Sequence, residues 1–402
     1  MSVTAADTRP PQTAALIWAL GIAQTLAWAS STYLPAILAS PIARDLGMSR
    51  ASVFGAFSVS LLVMAACGPA AGRAIDRRGG RGVLMLSNLV FAAGLLMLGT
   101  AYQSWMVYAA WCVLGAGMAL GLYDAAFAAL VYIYGSEARK PITGITLLAG
   151  FASTVGWPLS AFLDAQIGWR GACFVWAALH LVLGLPLYWR FIPRFAAGAH
   201  AAVAARPAGR VPDRRTFWLL AVFFALTAFV TSALAAHLPG LLAAMGAGAA
   251  AAVLAAALLG PAQVAASFAE FAASSRWKYH PLIAARIATA LHPAAALMLV
   301  LVGGAPLAAA VFALLHGAGN GMITIAKGTL PLALFGPAGY GLQQGWLGVG
   351  ARLLQACAPY AVGVLLELRG GATAMALTGG VSLIALAALL AIRAGGVKPG
   401  AR

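Results

Sequence analysis

GPAAGRAIDRRGGRGVL, residues 68–84, lies between two apolar runs at roughly 51–71 and 82–100. Each run is long enough to cross a bilayer as a helix, which takes about 20 apolar residues. The short connection between them carries Arg73, Asp76, Arg77, Arg78 and Arg81. A connection so short and so basic is expected on the cytoplasmic side, where positive loops are retained. Gly72 and Gly79 are expected to allow a tight turn. Asp76, the lone acid among arginines, can pair with them or sit at a helix N-terminus, where negative charge is favoured.

The same logic extends over the whole chain. Of its 402 residues 62% are hydrophobic and 8% charged, with a mean hydropathy of +0.91, whereas a soluble domain carries about 25% charged residues. The net charge of +16 lies in short connections between apolar spans. It forms no basic face interleaved with aromatics, so the partner it implies is the lipid bilayer and not a nucleic acid. Cys67, Cys112, Cys173 and Cys357 fall within apolar runs and make no CxxC; they read as small buried hydrophobes. The first dozen residues are polar, and the first apolar run is too long for a signal-peptide core, which predicts a retained helix.

Twelve spans are predicted, at roughly 14–40, 51–71, 82–100, 104–133, 141–165, 171–193, 216–243, 248–272, 281–303, 305–333, 343–367 and 372–393. An Ala/Gly tract at 243–257 blurs the seventh-to-eighth boundary. Residues 194–215 hold Arg194, Arg206, Arg210, Arg214 and Arg215 with Pro207 and Pro212, and read as a cytoplasmic linker. Sorting Lys and Arg by side gives 18 with the 73–81 connection against 4 opposite, namely Arg44, Arg50, Arg170 and Arg369. That asymmetry places both termini in the cytoplasm.

The order Gly72, Asp76, Arg77, Gly79, Arg81 resembles the signature that the major facilitator superfamily carries between its second and third spans. Gly80 stands where that family usually has a basic residue. The resemblance implies an all-α membrane protein of the cell inner membrane. Its twelve transmembrane helices would form two six-helix bundles, 1–193 and 216–402, acting as a monomer with a substrate path between the bundles. An internal echo agrees with two halves. Tyr33-Leu34-Pro35 and Gly68-Pro69 recur as His237-Leu238-Pro239 and Gly260-Pro261.

Ionisable groups inside spans are the candidates for function, because each costs about 2.5–3.5 kcal/mol to insert. Asp124 in the fourth span and Arg352 in the eleventh lie near mid-membrane, and Lys327 lies in the inner half of the tenth. Arg286 is shallow enough to snorkel to the interface. Glu270 is expected to reach the cytoplasmic surface and serve the gate structurally; Asp164 and Glu367 sit near the outer surface. On the tenth span His316, Asn320, Thr324 and Lys327 share a helical face by spacing. That face is either paired with neighbouring helices or a cavity wall. The resemblance favours the wall, since helices one, four, seven and ten line the superfamily's central path. On the first span Gln24, Trp28 and Ser31 share a face. On the fourth Tyr123 adjoins Asp124, with Phe127 one turn away. His180 reads as structural.

Trp111 occupies the position of the superfamily's fourth-helix Arg, which departs from the proton-coupled drug exporters. Residues 132–176, with Tyr132, Arg139-Lys140, Gly144, Gly150, Gly156 and Gly168-Trp169-Arg170-Gly171, resemble the monocarboxylate transporter and oxalate:formate antiporter families, which move small organic anions. Their eighth-helix Arg has no counterpart here. The sequence contains no HExxH, GxSxG or GxxxxGK[ST], so neither an enzyme nor a nucleotide-driven pump is expected, and no cofactor or metal. The expectation is a proton-gradient-coupled secondary transporter. Asp124 would exchange the proton. Arg352, Lys327, Asn320, His316, Tyr123, Trp28 and Gln24 would meet the substrate, with Gly72, Asp76, Arg77, Gly79 and Arg81 at the cytoplasmic gate. Two deep cations against one deep carboxylate leave a positive surplus that an organic anion would balance. Lys327 reaching cytoplasmic water is the bland alternative, and proton-antiport export of a drug-like compound is the alternative function.

Overall fold

The computed structural model describes residues 13–194, 213–277 and 279–393. The predicted linker, over 195–212, and both chain ends lie outside the described residues. Among the described residues the elements are helices and turns, with no strand. Nine continuous helical stretches are long and apolar enough to cross a membrane. The stretch 104–191 contains three passes and 340–391 two, so the described residues make twelve.

The first half comprises α1 (Thr13–Ala29 and Leu34–Asp45), α2 (Arg50–Arg78), α3 (Gly80–Gly99), α4 (Ser104–Gly121 and Tyr123–Tyr134), α5 (139–149 and 152–167) and α6 (169–191). The second comprises α7 (Arg214–Ala244), α8 (Ala249–Ala257 and Leu259–Trp277), α9 (Pro281–Val302), α10 (Pro306–Phe335), α11 (340–369) and α12 (371–391). Two passes run directly into the next through one left-handed glycine each, Gly168 (φ 73°) and Gly370 (φ 80°). A side chain there would be strained.

The connection at residues 73–81 is not a loop. α2 continues to Arg78, and the whole reversal is made by Gly79 (φ 79°), which is at once the C-cap of α2 and the residue before α3. Gly72 is therefore mid-helix, and its value is not a turn. Gly80 departs from the family pattern for a steric reason: a Cβ there would stand 2.9 Å from Cα of Ala129 on α4 and closer still to its Cβ.

Two helices break where function is expected. α1 opens over residues 30–33, where Ser30 and Ser31 donate to carbonyls of their own helix and Pro35 interrupts the ladder at the restart. α4 breaks at Leu122, whose backbone is extended (φ −81°, ψ −172°).

Each half is tied by the same device. Arg81, at the start of α3, donates to the carbonyls of Trp189 and Ile192 at the end of α6 (2.5 and 3.0 Å). Arg286, near the start of α9, donates to those of Leu389 and Ile392 at the end of α12 (3.1 and 2.7 Å). A cation on helix C-terminal carbonyls is favourable. Arg286 thus caps a helix and does not snorkel. At the opposite end, Trp169 (3.1 Å) and Arg170 both donate to Asp45, and Arg170 also donates to the Ala101 carbonyl (2.8 Å). The Gly-Trp-Arg-Gly turn is a structural clasp.

Candidate functional site

The halves meet first along α2 and α11. A Cβ on Gly345 would stand 2.6 Å from Cα of Pro69, and one on Gly341 2.5 Å from the Gly72 carbonyl. Only glycine lets the two backbones approach so closely. One turn beyond Gly72, Asp76 accepts from the backbone N–H of Gly341 and of Leu342, both at 2.8 Å. These are orphan donors at the N-terminus of α11, where the helix dipole also favours a carboxylate. Of the two partners open to Asp76, it takes the helix terminus and not the arginines; Arg77 beside it is exposed.

A second inter-half contact at this end joins α5 to α8. Arg139 lies 3.4 Å from Glu270 and donates to the Tyr279 carbonyl (2.9 Å). Glu270 does not reach the surface: it is buried, and Tyr279 also donates to it (3.4 Å). An ion partner from the other half makes that burial tolerable.

About midway along the seam, Arg352 on α11 donates to Asp124 on α4 at 3.2 Å, and its other arm donates to Gln355 at 2.8 Å. The pair is mostly shielded, with the side chains 12% and 28% exposed. It sits in a narrow cleft whose walls include Gly68, Gly72, Gly345 and Gly348. A Cβ on Gly348 would stand 3.3 Å from the Asp124 carboxylate. Lys327 on α10 is within electrostatic reach of both charges. Below it the floor is closed by Phe127, whose ring would lie 2.8 Å from a Cβ on Gly328.

From this pair two unlike walls extend. On the first half, rings run Phe127, Tyr123, Trp28, Tyr33, Trp157, with successive centroids 5.1, 4.9, 6.3 and 5.7 Å apart. On the second half, Thr231 donates to Asn320 (2.9 Å) and Asn320 to Gln263 (3.1 Å), linking α7, α10 and α8. Sequence reasoning missed Tyr33, Trp157, Thr231, Gln263 and Gln355. Gln355, three residues after Arg352, was findable by helical spacing; the rest depend on inter-helix packing.

Two expected wall residues are diverted. Gln24 is fully buried, and its amide donates to the Gly121 carbonyl (2.6 Å) and Tyr188 (3.2 Å). The break at Leu122 frees that carbonyl, and Gln24 satisfies it. His316 turns into its own half, 4.7 Å from the His292 ring and stacked on Phe312. His180 is structural, lodged between Ser30 (2.8 Å) and Asn88 (2.9 Å).

Residues 20–330 match the family model described as Major Facilitator Superfamily, which is most of the chain. The chain belongs to the major facilitator superfamily. Its apolar helices and its membership of this transporter family make it a multi-pass membrane protein. An MFS-type efflux pump of Mycolicibacterium smegmatis is 32% identical over 185 residues, which is 44% of this chain and 42% of that relative. The fold is similar to the crystal structure of the human organic anion transporter MFSD10 (TETRAN), with a TM-score of 0.72 at 17% identity over 94% of this chain and 100% of that one. It is equally similar to the proton:xylose symporter XylE, with a TM-score of 0.72 at 13% identity over 93% and 95%. Within this superfamily pattern the fourth-helix Arg position holds Trp111. Its ring is fully buried, edge-on to Phe57 at 5.3 Å, with Nε1 unpaired among the described residues. Trp111 lies within the apolar cluster of the first half, surroundings unsuited to a charge.

Proposed function

We propose that this superfamily member is a proton-coupled secondary transporter of a small organic anion in the cell inner membrane, working by alternating access. The observation that carries the proposal is the Asp124–Arg352 pair, whose partners come from different halves. Rocking of one half against the other must make and break a contact placed on the seam. Two chemical events would compete for it. A proton on Asp124 removes the carboxylate, and a substrate carboxylate offers Arg352 a bidentate replacement. Lys327, within electrostatic reach of both charges, would leave a positive surplus for that anion to balance. Among the described residues the inter-half hydrogen bonds and ion pairs fall at this pair or toward the 73–81 end. With that end cytoplasmic, as the charge distribution implies, the conformation is closed inward.

Proteoliposomes with an imposed pH gradient test the coupling. Asp124→Asn is expected to lose gradient-driven accumulation, falling at least tenfold, while substrate exchange survives. Full accumulation by Asp124→Asn would remove Asp124 from the proton path. The second reading, proton-antiport export of a drug-like compound, is favoured by the name of the mycobacterial relative. It would be distinguished by transport of lipophilic cations and not of organic acids in the same vesicles.

A further inference from the structure

We infer that the transported anion has an aromatic body: the five-ring series from Trp157 to Phe127 forms a binding surface for a flat ring whose carboxylate engages Arg352. The inference rests on the anion reading of the Asp124–Arg352 pair and adds the chemistry of the remainder of the molecule.

The rings come from three helices, α1, α4 and α5, and are assembled by the two helix breaks. The opening at residues 30–33 puts Tyr33 within ring contact of Trp28, five residues earlier. The break at Leu122 restarts α4 at Tyr123, so that Tyr123 and Asp124 stand side by side at a helix start. Tyr123 then stacks on Phe127 nearly parallel, at 10°, and meets Trp28 at 48°. Core aromatics are enclosed on every side. Here Phe127 alone is fully buried, as the floor. Trp28, Tyr33 and Tyr123 are half-buried, and Trp157 is 43% exposed. Exposure therefore rises along the series, from the buried Phe127 beside the charged pair to Trp157 at the end away from residues 73–81. Nε1 of Trp28 has no hydrogen-bond partner among the described residues, although a buried indole N–H ordinarily finds one.

The geometry fits an amphipathic guest. Aromatic pairs prefer offset or edge-to-face contacts at centroid distances of about 4.5–7 Å. The spacings of 4.9–6.3 Å between Trp28, Tyr33 and Tyr123 show that the surface already satisfies those preferences among its own rings. A benzene-sized ring can stack on the Trp28–Tyr123 face, while its carboxylate, one or two bonds away, lies toward the residue adjoining Tyr123, which is Asp124 with Arg352. An aliphatic acid of two or three carbons would engage the cation and leave the aromatic surface wet.

Calorimetric titration of the purified full-length protein tests this with benzoate, cyclohexanecarboxylate, propionate and benzylamine. Benzoate is expected to bind at least tenfold more tightly than cyclohexanecarboxylate and propionate, and benzylamine not to bind. Trp28→Leu should weaken benzoate about tenfold and change propionate less than twofold. Trp28→Phe should restore benzoate to within about threefold of the unmodified protein, which separates loss of the ring from loss of folding. Equal binding of all three acids, or equal loss of benzoate and propionate in Trp28→Leu with no rescue by Phe, would overturn the aromatic specificity and leave the anion reading intact. Binding of benzylamine with none of the acids would overturn both.

Discussion

The two halves are built alike and face each other with unlike chemistry. Arg81 of α3, capping α6, and Arg286 of α9, capping α12, repeat one device at equivalent places. The walls toward the seam have diverged. The first half presents aromatic rings and one carboxylate, Asp124; the second presents Thr231, Gln263, Asn320, Lys327 and Arg352. The repeat keeps what holds each bundle together and varies the residues toward the seam. On the proposed reading the unlike walls would divide recognition, with the second half taking the charge of the substrate and the first half its body.

The largest effect expected is at Arg352. Gln there should reduce organic-acid binding more than 100-fold, and Lys about tenfold, because an ammonium keeps the charge and loses the planar fork. Removing one partner of a shielded ion pair costs about 3–5 kcal/mol, so each variant should be checked for stability by thermal unfolding beside binding. Binding of acids by both variants at the original affinity would break the division, leaving the charged wall structural.

Asp76→Asn comes next. It acts on the α2–α11 contact below the walls, where the carboxylate accepts two N–H groups of α11. Asn keeps one acceptor and loses the charge. Hydrogen bonds to charged groups contribute about 1.5–3 kcal/mol, so transport should fall about tenfold with membrane insertion unchanged. Equilibrium binding at the walls should change much less. Transport at the original rate would show that closure at this end does not depend on the Asp76 charge.

How much of this could be read beforehand differs sharply between the seam and the walls. The Gly72–Arg81 pattern announced the superfamily, and a helix N-terminus was one of the two partners open to Asp76, the other being the neighbouring arginines. Gly72 was misplaced because an amphipathic or basic tail does not reveal where a helix stops; α2 runs seven residues past the apolar stretch. Gln24 was assigned to the path by helical spacing, yet spacing assumes unbroken neighbours, and the freed Gly121 carbonyl claimed it. His316 and Asn320 are one turn apart. The small angular offset of four residues in a 3.6-residue turn was enough to send one toward α9 and the other toward α7 and α8. The Gly-Trp-Arg-Gly likeness to anion transporters turns out to lie in a clasp around Asp45, so it speaks for architecture and carries no information on substrate.

The smallest effect expected is also the most direct test of the division between walls. Asn320 bridges Thr231 and Gln263, which gives the polar wall a fixed arrangement of donors and acceptors. Asn320→Ala removes two neutral hydrogen bonds, each contributing about 0.5–1.5 kcal/mol net, and partly exposed partners can turn to water instead. Binding of organic acids should therefore weaken only about threefold. The pattern matters more than the size. A polar wall that addresses the carboxylate should weaken benzoate and propionate by the same factor, since both carry the same group. Trp28→Leu, on the facing wall, should separate them. Titration of the two acids against the two variants gives four ratios, and their parallel or divergent behaviour is independent of absolute affinity. If Asn320→Ala discriminates between the acids as strongly as Trp28→Leu does, the polar wall also reads the body of the substrate, and the two halves share one undivided recognition surface.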